Sequence, residues 1–158
     1  MKRLRNEDAD LDGVDLHILR ILADDARTSV AEIARLVGMS APSVSERIKR
    51  LQENGTIQGY TIRIDPAALG RPLSAWLRIR PVPGQLAAVT DVIRSIPEIA
   101  SCDRVTGEDC FIARVHVASV AALEAVIDRI IPYAMTHTAI IQSSPVAPRP
   151  PIPDQNTE

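Results

Sequence analysis

Hydrophobic positions in the first third of the chain recur at helical spacing in three separate runs. Ile18, Leu19 and Leu22 share one face of a helix opened by Asp12, with Asp15 adding a carboxylate to the first turn and Leu11 packing as a staple from just outside. Val30, Ile33, Ala34 and Val37 mark a second helix. Ser29 and Glu32 stand at capping-box spacing before it, and Gly38 is the residue type that tolerates the left-handed backbone where a helix ends. In the third run Val44, Ile48 and Leu51 turn one way, after Ser40 as cap and Pro42 in the first turn, where a missing N–H is harmless. Asn54-Gly55 ends that helix, and Thr56 to Ile64 alternates around Gly59 as a small hairpin would. The prediction is a winged helix-turn-helix unit over residues 11–64.

The period then changes. Residues 65–72, Asp-Pro-Ala-Ala-Leu-Gly-Arg-Pro, form a linker with room for one short helical turn. Leu73 to Arg80 alternates, with Leu73, Ala75, Leu77 and Ile79 on one face. A helix over 85–96 puts Leu86, Val89, Ile93 and Ile96 on one stripe before Pro97 stops it. Ile99 to Val105 and Cys110 to Val117 read as antiparallel strands around a turn. A second helix turns Val120, Leu123, Ile127 and Ile130 inward until Pro132, and Thr136 to Ser143 is the last strand. The order βαββαβ over residues 73–144 is that of a ferredoxin-like domain, so the fold class is α+β. Helices cover one face of such a sheet. Trp76, Cys110 and Ile112 are expected on the other, and an uncovered face of that kind seeks a partner. The ends carry less pattern: residues 1–10 read as a charged arm, and 145–158 as an extended tail with five prolines.

Charge narrows the function. The formal net charge of -2 gives no global attraction to nucleic acid, so any phosphate affinity has to be local. It is concentrated on the third helix, whose polar side carries Ser43, Ser45, Glu46, Arg47, Lys49 and Arg50. Taken alone, such a face also suits a solvated helix surface. Its place behind a glycine turn and a serine cap favours a helix laid in a DNA groove, with Ser43, Ser45 and Arg47 near bases, Lys49 and Arg50 near phosphates, and the capping Ser40 completing the DNA-binding set.

The runs LDGVDLHILRIL, SVAEIARLVGMS and SVSERIKRLQENGTIQGY, followed by IDPAALG, resemble the bacterial and archaeal Lrp/AsnC family of leucine-responsive, or feast/famine, transcription regulators. The likeness extends from Leu11 to about Pro145. It implies a DNA-binding regulator, not an enzyme, whose ferredoxin-like domains pair sheet against sheet into a homodimer that assembles further to a tetramer or octamer. It also implies an amino-acid effector bound between dimers at a Gly-x-Asp hairpin. By position that is Gly107 and Asp109, with Thr106, Thr136 and Thr138 as weaker members; Glu108, read from its own chemistry, is an alternative to Asp109 as the carboxylate for an α-ammonium. Without the resemblance, residues 105–109 are simply a turn using Gly and Asp for their backbone habits. The chain departs from the family at Cys110, where many members carry an aromatic residue.

Other classes find little support. No run is long and apolar enough for a membrane span or signal peptide, so a cytoplasmic protein is expected. Cys102 is expected opposite Ala113 and not Cys110, which leaves both thiols reduced. His17, His116 and His137 form no ligand set or catalytic order, and no cofactor or metal is implied. Two alternatives stay open: an architectural protein that compacts DNA, and an amino-acid-sensing module serving an enzyme.

Overall fold

Asp12, Ser29, Ser40 and Ser119 each accept a backbone N–H three residues on, opening four of the five helices in the computed structural model, which describes residues 11–153. The arm expected over residues 1–10 lies outside the described residues. Two compact units form, one comprising the chain up to Ile62 together with the chain from Ala147, the other Arg63–Val146.

In the first unit α1 (Gly13–Asp24), α2 (Val30–Val37) and α3 (Ala41–Glu53) enclose Ile18, Ile33, Ala34, Val44 and Leu51. Leu11, Leu19, Leu22, Val37 and Ile48 pack around them, as the periodicity predicts. Asp12 and Asp15 form a reciprocal capping box, Asp15 N donating to Asp12 Oδ1 at 2.8 Å and Asp12 N to Asp15 Oδ2 at 3.3 Å. The box expected at Ser29 is only half made. Ser29 Oγ accepts from Glu32 N at 3.2 Å, but the Glu32 carboxylate turns to Arg35, a charged donor one turn on. Gly38 closes α2 at φ 68°.

The wing does not form. Thr56 to Ile64 carries no strand pairing, and Tyr60, Ile62 and Ile64 stand exposed. Asn54-Gly55 serves instead to finish α3, with Gly55 at φ 78° and Ile57 N donating back to Leu51 O at 2.8 Å. Ile57 thereby packs on the helical core, and no second strand returns beside the segment. Alternation here reflects extended chain without a ladder.

In the second unit β1 (Leu73–Pro81), α4 (Leu86–Arg94), β2 (Ile99–Arg104), β3 (Phe111–Val117), α5 (Val120–Ile130) and β4 (Ala134–Ile140) follow the expected order. The sheet order is β2-β3-β1-β4, every pair antiparallel. One 3-10 turn, Pro66–Leu69, occupies the linker. Ala75, Leu77, Ile79, Ala113, Val115 and Val117 alternate inward to meet Val89, Ile93, Leu123, Val126 and Ile130 of the helices.

Two packing expectations are corrected. Val120, the first residue of the helix, is exposed, and Val126 takes its place: the buried positions 123, 126 and 130 keep the spacing of one helical face. Cys110 packs toward the core instead of the open face, since its N–H is drawn to Ile79 O at 3.1 Å. Trp76 and Ile112 do lie opposite the helices, by their register beside buried Leu77 and Ala113. No helix of the described residues is long and apolar enough to cross a membrane.

Candidate nucleic-acid interface and ligand loop

Ser40 caps α3 and its hydroxyl also lies 2.7 Å from Ser43 Oγ, so the helix begins with two hydroxyls tied together. Burial of Val44 and Leu51 forces the polar side outward. Ser40, Ser45, Lys49 and Arg50 are exposed, while Ser43 and Arg47 are half-buried. Lys49 stays mostly in solvent, 3.9 Å from Glu53.

The two arginines are not free cations. Arg47 Nη1 lies 2.6 Å from Asp12 Oδ2 and 2.9 Å from Asp15 Oδ1, and Arg50 Nη2 lies 2.6 Å from Asp15 Oδ2. Asp15 itself is wholly buried. Its hydrogen bond to Arg47, followed by that of Asp12, holds the guanidinium above the ordinary arginine value. The backbone N–H of Asp15, then Arg47, draws Asp12 below the usual carboxylate value. Sequence reasoning assigned Asp15 to the helix terminus and missed this second role. The available signal was an aspartate three residues behind a capping aspartate, more negative charge than one helix end requires.

The turn between β2 and β3 is fastened to β1. Arg78 Nε donates to Asp109 Oδ2 at 2.6 Å, and Arg80 Nε donates to Glu108 O at 3.0 Å while its outer nitrogen pairs with the Glu108 carboxylate. Asp109 keeps only 12% of its side chain exposed, whereas Glu108 keeps 85%. Thr106 and Gly107 are exposed, Gly107 at φ 106°, which only glycine adopts readily. Thr136 pairs with Ile79, the residue whose carbonyl receives Cys110 N, so β4 and the turn meet β1 at the same end of the sheet. Thr138 lies two residues farther along, opposite Leu77. Alternation along β1 puts Arg78 and Arg80 on one face of the strand but carries no signal that they reach this turn.

On the sheet face away from the helices, Arg114 stacks over Trp76 at 5.7 Å, and Arg114 Nε is buried without a hydrogen-bond partner among the described residues. Ser74 Oγ and His116 Nδ1 lie 2.7 Å apart. Burial, then Arg114 and Arg71, lowers the His116 imidazole below its ordinary value. Cys102 pairs with Ala113 as predicted, both cysteines are free, and burial with nearby Asp103 raises the Cys102 thiol. Among the described residues no group of three or more His, Cys, Asp or Glu side chains is arranged to hold a metal ion.

Residues 11–52 match the model of the AsnC-type helix-turn-helix domain, and residues 74–151 that of the Lrp/AsnC ligand binding domain. The HTH-type transcriptional regulator LrpA of Mycobacterium tuberculosis is 40% identical over 121 residues, 76% of this chain and 81% of that protein. The solved structure of LrpC from B. subtilis superposes with a TM-score of 0.82 at 34% identity, covering 85% of this chain and 96% of that one. A feast or famine regulatory protein from M. tuberculosis, complexed with L-methionine, superposes at 0.84 with 37% identity over 90% of this chain and 99% of that one.

Proposed function

The chain belongs to the Lrp/AsnC family of DNA-binding transcriptional regulators, and from that premise we propose that α3 reads a specific operator while an amino acid, bound at the turn around Gly107, modulates the response. The observation that carries the DNA reading is the outward face of α3, where Ser40, Ser43 and Ser45 stand nearest its N-terminus and Lys49 and Arg50 one to two turns on. Short hydroxyls there admit close approach to base edges, and the cations reach flanking phosphates. The division of labour follows the sequence: 11–64 binds DNA, 65–72 links, 73–144 senses ligand and dimerises, and 145–158 is an accessory tail.

Dimerisation falls to the open sheet face carrying Trp76, Ile112, Arg114 and His116. A second copy laid on this face would shield Trp76 and supply an acceptor to the orphaned Arg114 Nε. The resulting homodimer, assembled to a tetramer or octamer in the cytoplasm, would address a pseudo-palindromic site with half-sites about 34–36 Å apart or a multiple of that.

At the effector turn the ion pairs set the chemistry. Asp109 and Glu108 are already neutralised by Arg78 and Arg80, so an α-ammonium has to compete with an arginine there. The open backbone around Gly107 is left to meet an α-carboxylate, with Thr106, Thr136 and Thr138 as hydroxyl partners. The M. tuberculosis regulator complexed with L-methionine supports an amino acid as the ligand class.

The test is selection of duplexes from a random pool by the full chain, followed by titration of the enriched sequence with each amino acid. Enrichment of a two-fold related motif, lost in Ser45→Ala with Lys49→Ala, is expected. Uniform binding of all duplexes would replace this reading with that of an architectural protein. A melting temperature unmoved by every amino acid would remove the effector.

A further inference from the structure

The recognition helix rests its arginines on a buried anion. Asp15 is 0% exposed, yet both its oxygens face α3, one on Arg47 at 2.9 Å and the other on Arg50 at 2.6 Å. Above it, Arg47 keeps 24% and Arg50 54% of its side chain in solvent. From the core outward the order is apolar interior, carboxylate, guanidinium, water. Each guanidinium spends one terminal nitrogen on carboxylates. Among the described residues, Nε and the other terminal nitrogen of both arginines make no hydrogen bond.

We infer that Asp15 is a positioning residue for DNA binding, which presets Arg47 and Arg50 so that their open edges meet the duplex, with Asp12 as a second hold on Arg47. The inference rests on α3 being the face presented to DNA. Two carboxylates and two guanidiniums sum to no net charge, so this cluster adds little to a long-range field. What it supplies is direction. A free arginine surrenders its rotamers when it meets a phosphate, whereas these two have surrendered them on folding. The opposite reading, that the aspartates withhold the arginines from DNA, would bury both guanidiniums, whereas Arg50 keeps 54% and Arg47 24% of its side chain in solvent and only Asp15 is wholly buried.

The test uses the full chain, its selected duplex, and anisotropy titrations at several salt concentrations, with folding of each variant checked by circular dichroism. Asp15→Asn should weaken binding about tenfold while folded, the loss of one to two preset side chains. Arg50→Ala should also weaken binding. In the double variant the second loss should be largely absent, because an arginine without its anchor contributes little. Tighter binding by Asp15→Asn would establish withholding and overturn the inference, as would losses that simply multiply in the double variant.

Should Asp15→Asn fail to fold, Asp12→Ser decides the matter. It keeps a capping oxygen on α1 and removes only the second carboxylate from Arg47. Affinity reduced about threefold at unchanged melting temperature supports positioning, and unchanged affinity refutes it. Ser45→Ala and Lys49→Ala report on the DNA face itself. If those two leave affinity untouched, the reading of α3 has failed; if they weaken it while Asp15→Asn does not, only the positioning role has.

Discussion

Arg78 and Asp109 are joined across the end of the sheet, Arg78 Nε lying 2.6 Å from Asp109 Oδ2, and the pair ties the turn after β2 to β1, one of the two inner strands of the sheet. Asp109 is largely shielded while Arg78 is 59% exposed, so solvent screens the pair from one side only. Arg78→Ala should cost about 1 kcal/mol or less of overall stability. Its larger effect should be local: amides of Gly107 to Cys110 should exchange with deuterium faster than in the parent while those of β3 do not. Equal acceleration along β3 would mean that the pair supports the whole sheet.

Leu51 is wholly buried at the end of α3 that carries Lys49 and Arg50. Leu51→Ala should destabilise the helical unit by about 2–5 kcal/mol, the range for emptying a close-packed aliphatic site. Chemical denaturation followed by far-ultraviolet circular dichroism measures it. A loss under about 1 kcal/mol would show that neighbouring side chains collapse into the space.

Gly38 sits at φ 68° with nothing within 4 Å of the position a Cβ would take. Gly38→Ala therefore meets no clash, and its cost of about 1–2 kcal/mol should be purely that of left-handed backbone. The melting temperature of the variant checks this. Because that turn sets the angle between α2 and α3, operator affinity should fall as well.

His116 gives the second unit a dependence on acid. Burial and the neighbouring Arg114 and Arg71 hold its folded value below the ordinary 6.5. The unfolded chain therefore binds the proton first as pH falls. Stability is full above about 6.5 and declines below it until the folded ring is protonated too. Thermal melts between about pH 7.5 and pH 5.5 should show a falling midpoint, and His116→Gln, which retains an acceptor for Ser74, should flatten that fall. A parent midpoint that rises on acidification would contradict the assigned environment.

Much of this architecture was legible because periodicity and punctuation are local. The stripes at Val30 to Val37 and Val44 to Leu51, the caps at Asp12, Ser29 and Ser40, and the strict alternation of Leu73 to Arg80 each express a preference that neighbouring residues settle among themselves. The same economy misled at Thr56 to Ile64. Alternation there marks extended chain, but a hairpin needs a partner strand, and Asn54-Gly55 had already been used to close α3.

The sequence alone determined the five helices and the four strands of the sheet, their order and the family to which they belong, since spacing, caps and turn residues act over a few positions. Only the tertiary structure decided which charges are spent. Asp15 meets Arg47 and Arg50 across more than thirty residues, and Arg78 meets Asp109 across a similar distance, because packing of apolar faces brought them together. Ion pairs of that kind have no period along the chain. They follow from the fold, and they govern which of the exposed groups remain free to bind.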